Sequence, residues 1–239
     1  MTIDPLDLVD EVDRAQGRVL DSAARLDDAA VAAPSRLPGW SRGHVLTHIA
    51  RNADGLVNLL TWAHTGVKTP QYLSMDQRNA DIAAGAGRPL DEHIADLKAS
   101  GARFLEAARE MPASAWAFVV TWTSGATAPA AEVVWTRLSE IEIHHVDADA
   151  GYRPADWPAA FTLRMLRIHV PRYAARDDMP PVVLRCTDIG QEFGIGDADG
   201  APVVSGPAAS ALAWLIGRSD GADLTVDPPG ALPRVPSFG

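Results

Sequence analysis

Trp40-Ser41-Arg42-Gly43-His44-Val45-Leu46-Thr47-His48-Ile49-Ala50 opens the segment on which the fold reading turns. Ser41 is a good helix N-cap residue, because its side-chain oxygen can accept from a free backbone N–H of the first turn. Beyond it, Val45, Ile49, Leu56, Leu60 and Ala63 recur near helical spacing, and Gly66 supplies a stop. The segment is therefore expected to form a long amphipathic helix with His44 and His48 one turn apart.

Working outward, Leu8, Val12, Ala15, Val19 and Leu26 mark an earlier helix, followed by a loop over residues 33–39. A third helix is expected from Leu90 to Ala108, with Pro112 beyond its end. A fourth runs from about Pro129 through Val134, Leu138 and Ile141 to Gly151. Four such helices point to a four-helix bundle. The connection over residues 66–89 is long for a bundle and is read as a functional loop. After Tyr152 the texture changes. One more helix around Phe161–Ile168, ended by Pro171, precedes short β-like runs at 182–186, 192–195 and 202–204. A helix opening at Gly206-Pro207 and a last strand at Leu224–Val226 follow. The Pro-rich tail after Asp227 is expected to be loose or draped over the surface. The expected fold class is thus α plus small α/β, with a helical domain over 1–152 and a small α/β domain over 153–239.

Composition narrows the functional classes. A formal net charge of -10 disfavours a nucleic-acid binder, whose phosphate affinity needs clustered Lys and Arg. It leaves room for a small anionic substrate, which needs only one or two local arginines. The single cysteine, Cys186, makes no intrachain disulfide and is read as a buried strand residue. No signal pattern and no apolar run near the ~18 residues of a membrane span is evident. A cytoplasmic location and no membrane partner are expected; oligomeric state is left open.

The chemistry lies in a histidine and carboxylate constellation. Glu140 and His144 are four apart on the fourth helix and share a face. A catalytic zinc site has three protein ligands and one open position. His48, deeper in its helix than His44, is the better candidate to complete the set. Di-metal bundles use Glu-x-x-His pairs on two helices, a pattern that is absent, so one metal is favoured over two. The donor set suits zinc and also permits iron, nickel or cobalt. By spacing alone, a Glu-x-x-x-His pair such as Glu140 and His144 is more commonly just an exposed helical pair. Asp147, three after His144, is read as capping the helix end or facing solvent rather than orienting a ligand. Trp40, Trp62 and Trp135 are read as packing residues.

These residues also carry a resemblance. The stretch Leu37 to Ala50, with Asn52, Asn58–Gly66, Thr69-Pro70, Tyr72 and Arg78-Asn79, resembles the mycothiol-dependent maleylpyruvate isomerases. So do Trp135-Thr136-Arg137, Glu140 to Asp147, and Gly217-Arg218-Ser219-Asp220-Gly221. His145 departs from the small residue expected after the last ligand. The resemblance implies a DinB-like metal-binding four-helix bundle with a sterol-carrier-like C-terminal domain. It implies zinc, one per chain, held by His48, Glu140 and His144, with mycothiol as thiol cosubstrate. It assigns substrate-side roles to Arg78, on the long loop, and to Arg218. The implied reaction is cis–trans isomerisation of maleylpyruvate to fumarylpyruvate. A thiolate adds to the conjugated alkene, the resulting single bond rotates, and elimination returns the thiolate. Two alternatives stay open: a mycothiol S-transferase acting on another electrophile, and a non-enzymatic zinc-stabilised binding protein with His44 or His145 as a fourth ligand.

Overall fold

In the computed structural model, which describes residues 4–237, the chain forms two units, one ending at Tyr152 and the next beginning at Arg153. The first is helical. Helix α1 (Pro5–Ala23) starts at Asp4, whose carboxylate accepts from Leu6 N, with Pro5 at the first helical position. Helix α1 stops short of Leu26, and a short α2 (Asp28–Ala32) follows. Helix α3 (Arg42–Thr65) contains the opening stretch and ends at Gly66, whose φ of 72° is the left-handed cap a glycine adopts at little cost. The connection expected to be a loop holds a helix instead, α4 (Met75–Gly85), capped by Ser74. Only Ile82 of α4 is buried, so it lacks the broad apolar stripe that reveals a helix in sequence. Helix α5 (Leu90–Arg109) and helix α6 (Ala131–Asp147) are separated by an antiparallel hairpin, β1 (Val119–Thr121) and β2 (Thr127–Pro129), that the sequence reading did not contain.

The four long helices pack in a ring: α3 lies against α5 and α6, and α1 against the same two. Small residues set the closest approaches. A Cβ on Gly43 of α3 would stand 2.1 Å from the carbonyl oxygen of Ala86, just past α4. One on Gly55 would stand 2.7 Å from the Tyr72 ring. Both contacts bring the α4 region, with Arg78, down onto α3.

The second unit combines α7 (Ala159–Ala174), β3 (Val182–Cys186), β4 (Gln191–Ile195), β5 (Val203–Gly206), α8 (Ala208–Leu215) and β6 (Thr225–Asp227). The sheet order is β4-β3-β5-β6, with β3 and β5 parallel and the other pairs antiparallel. Val182, Leu184 and Cys186 alternate onto the buried face of β3, as the period of two requires. Burial raises the Cys186 thiol to about 11, so it is a packing residue. Helix α7 does not end at Pro171 but continues to Ala174. The proline falls in the final turn, where its missing N–H removes only a late bond of the helix. In the tail, Leu232 lies against Gly221, and Ser237 accepts from Arg176.

The chain is therefore helix-rich with one small mixed sheet, and no helix among the described residues is long and apolar enough to cross a membrane.

Candidate metal centre

Helix α3 delivers His48 and helix α6 delivers Glu140 and His144. His48 Nε2 lies 3.0 Å from Glu140 Oε2, and His144 Nε2 lies 3.5 Å from the same oxygen. The two imidazole rings stand nearly perpendicular, at 88°, with centroids 4.4 Å apart. One donor atom from each residue falls within 4.8 Å of the others. A tetrahedral zinc with bonds of about 2.0–2.1 Å separates its ligand atoms by roughly 3.3 Å, so the three donors fit such an ion with small adjustments. The His48 side chain is 4% exposed, but Glu140 retains 31%, which leaves the cluster open to solvent on that side.

The surroundings orient the side chains of the cluster. Asp147 Oδ2 lies 2.9 Å from His144 Nδ1. Contrary to the reading of Asp147 as a cap or solvent-facing residue, its side chain is 2% exposed and is aimed at His144. The two residues are three apart on one helix, so they meet on one face. Arg78 Nη2 donates to His48 Nδ1 across 2.9 Å, and its guanidinium lies 6.0 Å above the Tyr72 ring. Arg78 is thus held on a helix, not on a loop. The Trp40 ring meets His48 in an edge-to-face arrangement with centroids 5.8 Å apart and stacks on His44 at 5.9 Å, so it belongs to the wall of the site.

Charge follows from these contacts. Burial, with the neighbouring His144 charge, lowers His48 to about 4. His144 is also opposed by burial, but hydrogen bonds to Asp147 and Glu140 outweigh it and raise the ring to about 9. Burial pushes the Glu140 carboxyl upward, yet the two histidine hydrogen bonds win and hold it well below the usual carboxylate range. Near neutral pH the metal-free cluster is therefore a neutral His48, an anionic Glu140 and a cationic His144.

The remaining histidines that could have closed the site point elsewhere. His44 completes a capping box at the start of α3: Ser41 Oγ accepts from its backbone N–H, and Ser41 N donates to its Nδ1. His145 faces the other side of α6, bonded to Ser22 and stacked on Tyr152 at 3.9 Å. Near it, the fully buried Glu142 pairs with Arg18 and accepts from Tyr152 across 2.6 Å. Among the described residues the only such cluster is the trio of His48, Glu140 and His144. Arg218 belongs to the second unit, after α8. There the positive φ of Gly217 reverses the chain, and Arg218 Nη1 donates to Ile216 O.

A helix-rich unit with a two-histidine, one-carboxylate cluster that could hold a metal ion, followed by a small α/β unit, defines the class: a helix-rich protein with a candidate metal centre. Residues 12–149 match the family model of the mycothiol maleylpyruvate isomerase N-terminal domain, and residues 156–237 match that of the MDMPI C-terminal domain. The chain belongs to the mycothiol-dependent maleylpyruvate isomerase family. Crystal structures of a mycothiol-dependent maleylpyruvate isomerase and of a histidine-to-alanine mutant of it superpose with a TM-score of 0.91, at 28% sequence identity, over 100% of each chain. No protein of curated function matches the sequence.

Proposed function

We propose that the protein is a zinc- and mycothiol-dependent cis–trans isomerase that converts maleylpyruvate to fumarylpyruvate in the cytoplasm. In this reading residues 1–152 are a DinB-like metal-binding four-helix bundle, and residues 153–239 a sterol-carrier-like α/β domain. The observation that carries the proposal is the convergence of His48, Glu140 and His144 in a chain whose two halves both match this family.

His48, Glu140 and His144 would hold the metal. When bound, zinc keeps a thiol cosubstrate deprotonated near neutral pH, so that mycothiol can serve as the nucleophile that makes the alkene rotatable. Asp147 retains the proton on His144 Nδ1, which would leave the Nε2 lone pair to bind a metal. Glu140 contributes one negative charge, as its depressed pKa requires. Arg78 has only donors, so its bond to His48 Nδ1 and ligation through His48 Nε2 are alternatives. With a metal on Nε2 the ring proton would sit on Nδ1, and the guanidinium would be free of His48. Freed in this way, Arg78 binds a substrate carboxylate in a forked contact and stabilises the enolate charge that thiolate addition creates. For Arg218 a substrate-side role rests on the resemblance alone.

Purified protein assayed with maleylpyruvate, with and without mycothiol, tests this reading. Turnover should require the thiol, and metal analysis should find about one zinc per chain. Turnover with no thiol present would sink the mechanism.

A further inference from the structure

Arg137 is the largest fully buried side chain among the described residues, at 0% exposure. It sits on α6 one turn before Glu140. Its guanidinium donates to Ile49 O across 2.7 Å and to Asn52 Oδ1 across 2.9 Å, both on α3. It also donates to Gln16 Oε1 on α1 across 3.1 Å, and Gln16 Nε2 in turn donates to Leu97 O on α5. Its guanidinium carbon lies 5.9 Å above the Phe104 ring, also on α5. One side chain thus touches or reaches all four long helices.

Two features set it apart from an ordinary core crosslink. None of its hydrogen-bond partners is a carboxylate, and it forms no ion pair among the described residues. Burying a guanidinium without a paired anion is costly, and a neutral amide could bridge the same helices. Burial does lower Arg137 to about 10, and the charge that most opposes that fall is Glu140. The second feature is where it grips α3. Ile49 O is the carbonyl of the residue directly after His48, and Asn52 lies one turn beyond His48 on the same face. The metal ligands come from just these two helices, so the α3–α6 separation at this level fixes whether His48 meets Glu140 and His144. Such a centre must be held to within about 0.5 Å to work.

We infer that Arg137 is a positioning residue of the metal centre: its guanidinium clamps the His48 turn of α3 to the turn of α6 that leads into Glu140. The inference rests on the metal reading above. The clamp has an α3 arm, through Ile49 and Asn52, and an α1 arm, through Gln16. Only the α3 arm bears on the ligands.

The test uses the full chain, stripped of metal and reloaded with zinc or cobalt. Zinc affinity is read by chelator competition, and ligand geometry by the visible absorption of the cobalt form. Arg137→Lys keeps the charge and loses the fork; it should weaken zinc by about tenfold or more and alter the cobalt spectrum. Asn52→Ala removes one contact of the α3 arm and should move both readouts the same way by a smaller factor. It also serves if Arg137→Lys does not fold. Gln16→Ala should lower the thermal midpoint while leaving zinc affinity and the cobalt spectrum as in the parent. Parent-like zinc affinity and cobalt spectrum in Arg137→Lys and Asn52→Ala would overturn the inference and leave the metal reading standing. Equal metal defects in Gln16→Ala would reduce Arg137 to general packing. A parent protein that takes up no metal would overturn both.

Discussion

Asp147 Oδ2 lies 2.9 Å from His144 Nδ1, from a side chain that is almost wholly buried. A carboxylate on the outer nitrogen of a metal-ligating imidazole fixes the tautomer and ring orientation and raises the basicity of the inner nitrogen. Asp147→Asn keeps the size of the side chain and loses the charge. It is expected to weaken zinc by about 10- to 100-fold, measured by chelator competition, with the helical circular dichroism unchanged. Parent-like affinity would assign Asp147 to packing alone.

Zinc binding should be linked to protons through His144. In metal-stripped protein this ring titrates at about 9, raised by Asp147 and Glu140, while His48 titrates at about 4. Below pH 9 the metal must displace a proton from His144; His48 is already neutral across the neutral range. Apparent zinc affinity should therefore rise about tenfold per pH unit from near 6 to near 9, and level off above. Calorimetric titration in buffers of different ionisation enthalpy should find close to one proton released per zinc at pH 7. A release near zero would contradict this protonation state.

Arg78 should separate metal binding from turnover. Because the guanidinium competes with the metal-bound tautomer of His48, Arg78→Ala is expected to bind zinc as tightly as the parent or more so. With a charge-assisted carboxylate contact removed, kcat/KM for maleylpyruvate should fall by about 10²-fold or more. Full activity in this variant would remove Arg78 from the substrate site.

Gly43 should be intolerant of substitution even though it lies in a helix. Its Cβ position is 2.1 Å from the Ala86 carbonyl oxygen, a backbone atom that cannot rotate away. Gly43→Ala must push apart α3 and the end of α4, and is expected to cost about 1–3 kcal/mol in chemical denaturation. Activity should fall by more than the stability loss explains, because the same shift moves Arg78. Gly17→Ala in α1, which meets nothing within 4 Å, is the control and should be neutral or slightly stabilising.

Much of this protein is legible without coordinates. The caps at Ser41 and Gly66, the spacing of Val45, Ile49, Leu56 and Leu60, and the short β-like run Val182–Cys186 are local signals, and local signals name local elements. They fail where an element buries little of itself. Helix α4 offers one buried residue, and the β1–β2 hairpin has only three residues per strand, so neither writes a clear period into the sequence.

The site divides along the same line. Glu140 and His144 face one way because a helix repeats every 3.6 residues, and sequence alone determines that. What lies opposite them does not follow from spacing. Only the packing of α3 on α6 brings His48 Nε2 to Glu140. The same packing aims Arg78 at His48, and the burial of the α6 end turns Asp147 from a possible cap into the partner of His144. Arg137 interrupts the apolar run of Val133, Val134, Leu138 and Ile141, which marks it as unusual in sequence. Its three acceptors on two other helices exist only in the folded chain, because a hydrogen bond needs atoms about 3 Å apart and sequence distance does not measure that.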